Sequence, residues 1–217
     1  MVDVWIAFSS GMKASLLITA FLMISVTLIG LKVKKMSYAD VPGGIVLVAV
    51  MLVQMFNNMM EDFFKKYWRQ FTPYMFTIIL FLGFANTASL VGLATPLSNF
   101  TIAISFSALA FGSIQVIALI VHKPVKRAKN LMEPHPLFLP INLIGEMSTP
   151  FAMGLRLFGN MLSGAIIGII IYGLLSWFGV VFGAILIHPI FDIFFGLIQA
   201  YVYTILFTIF LSMAIEE

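Results

Sequence analysis

Apolar residues in this chain run unbroken for about the length of a bilayer crossing, stop at charged or proline-containing punctuation, and run again. A helix needs about 20 predominantly apolar residues to cross the roughly 30 Å hydrocarbon layer. Residues 14–31, 73–93 and 101–121 each meet that length and predict three crossing helices, the last two a hairpin over the turn Ala94-Thr95-Pro96-Leu97-Ser98-Asn99. The apolar run from Ile45 to Phe56 is shorter, follows Pro42-Gly43-Gly44, and leads into Glu61-Asp62-Phe63-Phe64-Lys65-Lys66-Tyr67-Trp68-Arg69. Charge interleaved with aromatics predicts an amphipathic helix lying at the membrane surface over residues 43–70. After Glu133-Pro134-His135-Pro136 come two longer segments, 137–175 and 180–215, divided near Ser176-Trp177-Phe178-Gly179. Each exceeds an upright span and predicts either a strongly tilted helix or one broken at Pro150 or Pro189. The expected architecture is an all-α integral membrane protein in one domain over residues 1–217. It has about five transmembrane helices plus one interfacial helix, the last two transmembrane helices forming a long tilted hairpin.

Composition agrees. Hydrophobic residues are 61% of the 217 and charged residues 10%, with a mean hydropathy of +1.08. A soluble domain is about half apolar and a quarter charged. The net charge of +3 would suggest nucleic acid in a soluble chain; here it reports topology. Ten of the 12 Lys and Arg fall at 32–35, 65–69 and 123–129, and one orientation puts all three clusters, with the C-terminal Glu216-Glu217, on the cytoplasmic side. The N-terminus lacks a basic region and cleavage site of a signal peptide, so a bacterial plasma membrane is the expected location. With no cysteine, disulfides and thiolate chemistry are excluded. Phosphate-loop, zinc-protease and nucleophile-elbow signatures are missing, and no ligand cluster implies a metal or other cofactor.

Candidate chemistry concentrates in the last third. From Leu137 to Ile215 the formal charges are Glu146, Arg156 and Asp192. An Arg at a membrane helix centre costs about 2.5–3.5 kcal/mol even on the lowest scale. On a helix of 100° per residue, Asn142, Thr149, Asn160 and Ser163 lie within roughly 40° of Arg156, and Glu146 at roughly 80°. Around Gln199 the second segment gathers His188, Asp192 and Tyr203 in the same way. Polar intramembrane residues face a bundle interior or a water-filled cavity, so the two stripes are expected to meet, with Gln199 hydrogen-bonded to Arg156. A structural Arg156–Glu146 ion pair and a helix-capping His188 are the plainer alternatives. Asn86 and Gln115 read as inter-helix hydrogen bonders, and His122 and His135 as inert loop residues. Small residues at Gly145, Ala152, Gly154, Gly159, Gly164, Ala165 and Gly168 allow close helix approach.

The stretch Gly154-Leu155-Arg156-Leu157-Phe158-Gly159-Asn160 resembles the signature of subunit a of F-type ATP synthases. Phe71-Thr72-Pro73, Phe84-Ala85-Asn86 and Gly92-Leu93 resemble that family's first hairpin, and Gln199-Ala200-Tyr201-Val202-Tyr203-Thr204 with Leu211-Ser212-Met213-Ala214 its last helix. The resemblance implies a non-catalytic membrane stator in which Arg156 is the essential arginine, Asn160 lies beside it and Gln199 opposite. It implies partnership with a rotor ring of small two-helix c subunits, peripheral-stalk b subunits and the lipid bilayer, with no nucleic acid. Ala165 stands where the family often has Glu or His, and Ala152 replaces a frequent Ser. The ion path, for H⁺ or Na⁺, then falls to Asp192, His188, Glu146, Ser163, Asn142 or water. A stand-alone transporter or channel, with Arg156 binding an anionic substrate, is the competing class.

Overall fold

The computed structural model describes residues 9–36, 42–121, 139–182 and 189–216, together with His135 and Leu137. Six α-helices follow in order: α1 Ser10–Lys34, α2 Ile45–Phe64, α3 Trp68–Thr87, α4 Phe100–Val121, α5 Leu139–Phe182 and α6 Gly196–Glu216. A π-helical segment, Pro189–Phe195, leads directly into α6. No strand occurs among the described residues. Each helix contains a stretch long and apolar enough to cross a membrane.

The ends of the helices follow from local chemistry. Ser9 caps α1, its Oγ accepting from the Met12 amide at 3.3 Å, so the helix starts four residues before the predicted run. Pro73 does not end α3, which begins five residues earlier, directly after the 3-10 turn Lys65–Tyr67. A positive φ of 46° at Lys65 separates α2 from that turn. At its other end α3 tightens into the 3-10 turn Ala88–Val91, closed by Gly92 at φ 75°, a left-handed conformation that glycine adopts without penalty.

Aromatic pairs fix the relative directions. Phe81 stacks on Phe106 with centroids 5.6 Å apart, and the Tyr74 hydroxyl lies 2.8 Å from Ser113 Oγ, so α3 and α4 are antiparallel. Phe21 meets Phe84 and Gly11 lies against Pro96 and Ile102, so α1 is antiparallel to α3 as well. On α6, Gly196 packs against Asn86, Phe207 against Tyr74, and Ser212 Oγ donates to the Phe63 carbonyl at 2.8 Å. The basic end of α1, the basic turn before α3, the last turn of α4 and the last turn of α6 therefore share one end of the bundle. The third basic cluster, 123–129, and the glutamate at 217 lie outside the described residues.

Two expectations change. The predicted surface segment 43–70 divides into α2 and the start of α3. In α2, Phe56, Met60 and Phe64 recur at helical spacing and are buried, and Phe56 and Phe64 stack on Phe76 and Phe71 of α3. Its other face exposes Leu47, Val48, Met51, Leu52 and Met55. The five-plus-one expectation and the six apolar helices thus differ at α2 alone. In the long hairpin, α5 is continuous through Pro150 and through the expected division at 176–179, ending at Phe182. Nothing in Ser176-Trp177-Phe178-Gly179 removes a backbone donor, and a single glycine costs a helix only about 1 kcal/mol. The second segment does change geometry at Pro189, where the π segment begins. At 44 residues α5 is roughly 66 Å long at 1.5 Å per residue, about twice the hydrocarbon thickness, and a helix of that length cannot lie upright in a bilayer.

The most extensive helix contact is that of α5 with α4. Its centre is Gly154: a Cβ there would sit 2.8 Å from Ile104 Cδ1, 3.2 Å from Ser107 Oγ and 3.3 Å from Ile104 Cα. Phe158 continues the seam edge-on to Phe100. Replacing Gly154 by Val should push the helices apart at a cost of about 1–3 kcal/mol, the range for overpacking. Ile104→Ala should recover part of it, read as non-additive loss of heat resistance in the detergent-extracted assembly; additive losses would show that the two sites do not touch.

Candidate functional site

The seam with α4 dictates where Arg156 points. Met153, Gly154 and Leu157 are buried against the bundle. Arg156 follows Gly154 by roughly 200° of helix rotation, and its side chain is exposed, with Leu155 and Phe151 exposed beside it. No described residue hydrogen-bonds or ion-pairs with its guanidinium. Ser163, two turns on, is exposed too, while Asn160 and Thr149 are half-buried.

α6 packs chiefly on α3 and α4. Its buried stripe is Gly196, Gln199, Ala200, Tyr203, Phe207, Leu211 and Ala214, a spacing of three and four that one helix face produces. Gln199 therefore turns inward, only 8% exposed, and its Nε2 has no hydrogen-bond partner. The expected Arg156–Gln199 hydrogen bond is not formed: one group lies on an outer face and the other on an inner one.

The two long segments are joined instead one turn away. Asn160 Nδ2 donates to the Phe195 carbonyl at 3.4 Å. The next carbonyl, that of Gly196, accepts from Asn86 Nδ2 at 2.8 Å in a fully buried contact. Two successive carbonyls at the junction of the π segment and α6 are thus held by side-chain amides from α5 and α3. π-Helical turns disturb the regular i→i−4 ladder, and each of these two carbonyls at the junction accepts a bond from a side-chain amide of another helix.

Several buried polar side chains lack a well-formed hydrogen bond: Asn86 Oδ1 on α3, Ser89 Oγ in the 3-10 turn after it, Ser107 Oγ on α4, and Gln199 Nε2 and Tyr203 OH on α6, the Ser107 and Tyr203 hydroxyls lying near enough to interact with each other. Tyr203 is 1% exposed, its ring 5.5 Å from that of Phe106. A buried polar group left unsatisfied costs about 1–3 kcal/mol, and native proteins normally satisfy such groups with ordered water.

The remaining predicted residues divide by location. Asn142 is half-buried in the first turn of α5, and Asp192 sits within the π segment, three residues before Phe195. The side chains of Glu146 and Asp192 fall outside the described set, and so does His188, so the alternative Arg156–Glu146 pair is not described. No group of three metal-ligating side chains occurs among the described residues. Asn86 behaves as the inter-helix hydrogen bonder its sequence position suggested. Gly196 and Ser107 carried no sequence signal, because their importance lies in which distant residue they touch.

At 3.4 Å the Asn160 contact is long for a hydrogen bond. Asn160→Ala should lower the stability of the assembled protein by less than about 1 kcal/mol, measured as the midpoint of thermal dissociation; a larger drop would mean that this amide, rather than the α4 seam, holds α5 in place.

Comparison with known proteins places the chain in a family. Residues 14–212 match the family described as ATP synthase A chain. The chain is 30% identical over 206 residues to ATP synthase subunit a 1 of Syntrophotalea carbinolica, covering 90% of this chain and 83% of that one. It is 30% identical over 156 residues to ATP synthase subunit a 2 of a Bradyrhizobium species, covering 71% and 68%. With subunit a 1 of Chlorobaculum parvum it shares 30% identity over 146 residues, 67% of this chain and 62% of that one. A match along nearly the whole chain, on a fold of long apolar helices, makes this multi-pass membrane protein a member of the ATP synthase subunit a family.

Proposed function

We propose that this chain is the stator that exchanges ions with a rotor ring, coupling ion flow to rotation and ATP synthesis. The observation that carries the reading is the outward-facing guanidinium of Arg156 on a helix surface whose other exposed described residues carry no charge. An arginine is a permanent charge and a poor proton relay, and leaving it against lipid is costly. A carboxylate on a partner chain removes that cost. Small two-helix c subunits, each bringing one carboxyl past α5, supply such a counter-charge repeatedly.

The chemistry follows from the encounter. A rotor carboxyl opposite Arg156 is favoured in its ionised form by the adjacent positive charge. It releases its ion on arrival and must be reloaded before it turns back into lipid. Release and reloading on opposite sides of Arg156 make the exchange directional. The guanidinium repels a cation attempting to pass straight through. Each elementary charge crossing 100 mV delivers about 2.3 kcal/mol, which rotation accumulates.

Two aqueous half-channels are needed. The buried polar side chains of Asn86, Ser89, Ser107, Gln199 and Tyr203 support an inner, hydrated route among α3, α4 and α6. Asp192, His188, Glu146, Ser163, Asn142 and Asn160 are the groups we assign to ion transfer along the long hairpin. Ala165 contributes no ionisable group, and the polar interior offsets that loss.

We place the shared basic end of the helices in the cytoplasm of a bacterium, following the positive-inside rule. α1 ends and α3 begins at that end, with ten residues, 35–44, joining α1 to α2. Were α2 also a crossing, those ten residues would themselves have to span the bilayer, about half the number a helical crossing needs. We read α2 as a surface helix inclined so that its last turns reach α3. The exposed apolar flank of α1, with Phe21, Met23, Ile24 and Leu28, offers a face for peripheral-stalk b subunits.

Arg156→Ala should reduce ATP synthesis driven by an ion gradient by about a thousandfold in membrane vesicles carrying the assembled complex. That corresponds to losing a charge pair worth about 4 kcal/mol at close range. Synthesis at the wild-type rate would refute the stator reading, as would ion or anion transport by the purified chain alone.

A further inference from the structure

The contact between Asn86 and Gly196 is made by residues 110 positions apart. Asn86 is wholly buried, its Nδ2 lies 2.8 Å from the Gly196 carbonyl, and a Cβ on Gly196 would sit 3.0 Å from Asn86 Cβ. The backbone of α6 is therefore seated directly on this side chain. The seat falls at the point where the π segment becomes α helix. A π turn winds more residues per turn than an α turn, so where it ends sets the rotation of both flanks. Asp192 lies four residues before Gly196 and Gln199 three after it. Gln199 Nε2 has no hydrogen-bond partner of its own to hold it in place.

We propose that Asn86 is a positioning residue of the ion path: by holding the Gly196 carbonyl it pins the junction and so sets the rotation, relative to Arg156, of the helical flanks on which Asp192 and Gln199 are carried. This rests on the stator reading above. Asn86 acts through the α6 backbone and touches no ion. The amide is suited to the task because it donates at every working pH; a hydroxyl is too short to reach from the same Cβ, and an ionised carboxylate cannot donate at all. The Gly196 side matters equally, since only a residue without Cβ lets the two backbones come this close.

The test uses the assembled complex in inverted membrane vesicles and compares Asn86→Leu, Asn86→Asp and wild type for ATP-driven ion pumping per ATP hydrolysed. Asn86→Leu should pump roughly tenfold less, the effect of one lost buried hydrogen bond, at all pH values. Asn86→Asp separates positioning from bulk packing. When protonated, its carboxyl donates to the Gly196 carbonyl as the amide does; when ionised, it repels that oxygen. Pumping by Asn86→Asp should therefore recover toward wild type as the pH falls from about 8 to about 6, the carboxyl's protonation being favoured by burial.

The other ionisable groups on the elements packed around this junction are Lys13, Lys32 and Lys34 on α1, Glu61 and Asp62 on α2, Arg69 and Tyr74 at the far end of α3, Glu146, Arg156 and Tyr172 on α5, Asp192 in the π segment, and Tyr201, Tyr203 and Glu216 on α6. α4 carries none. All are present in wild type and Asn86→Leu, whose pH profiles are the reference. Wild-type pumping by both variants would overturn the proposal. So would a loss in Asn86→Asp that follows the wild-type pH profile, or failure of that variant to enter the complex at any pH, since either outcome assigns Asn86 a packing role only. The stator reading fails separately, through retained coupling in Arg156→Ala measured in the same vesicles.

Discussion

The close approach of α5 to α4 decides where Arg156 stands, because the packing of the described helices leaves it exposed on the face of α5 turned away from α4. Gly154 brings α5 against Ile104 and Ser107 of α4. Once that seam is closed, the 100° step of the helix leaves no freedom: Met153, Gly154 and Leu157 go in, and Arg156 goes out. The glycine two residues before the arginine is thus the reason the arginine is available. A side chain at Gly154 would move the whole outer face of α5, the charge included. The length of α5 has the same consequence on a larger scale, because a helix of 44 residues must lie obliquely in a bilayer and so presents a long lateral face to a neighbour.

The second long element is held by a different logic. α6 is not paired along its length with α5; its small and aromatic stripe is fitted into α3 and α4, with Tyr203 beside Phe106 and Phe207 beside Tyr74. α5 and α6 meet where Asn160 reaches the Phe195 carbonyl. The two halves of the site are therefore anchored to a common pair of helices rather than to each other. Such an arrangement leaves polar side chains on the inner face of α6 without a partner on α5. It separates the buried polar side chains from the exposed cation.

Much of this was legible in the sequence, for physical reasons that can be named. Lipid tolerates only internally satisfied backbone, so apolar length alone located α1, α3 and α4 to within a few residues. Arg156 could be singled out because charge is rare and costly in a membrane span. Where the reading failed, long-range contact decided the outcome. Helical spacing placed Gln199 and Arg156 each on a polar stripe, but spacing cannot say which neighbour a stripe faces, and Gln199 faced α3 and α4. The division expected at 176–179 rested on a serine, two aromatics and a glycine, none of which removes a backbone hydrogen bond; Pro189, which does, marked the real change of geometry. The short apolar run at 45–56 looked too weak to form an independent span. Phe56, Met60 and Phe64 gave it a packing face that only the position of α3 makes visible.

The role of Asn86 illustrates how membrane helices differ from soluble ones in what an amide can do. In water, a side chain that donates to an exposed carbonyl competes with solvent and gains little. In the interior of this bundle Asn86 is fully buried, and the carbonyl it meets stands where the π segment gives way to α helix. Its amide donates to Gly196 while its own oxygen stays unpartnered. A leucine of similar volume could fill the same space, but it would not supply the donor that seats α6.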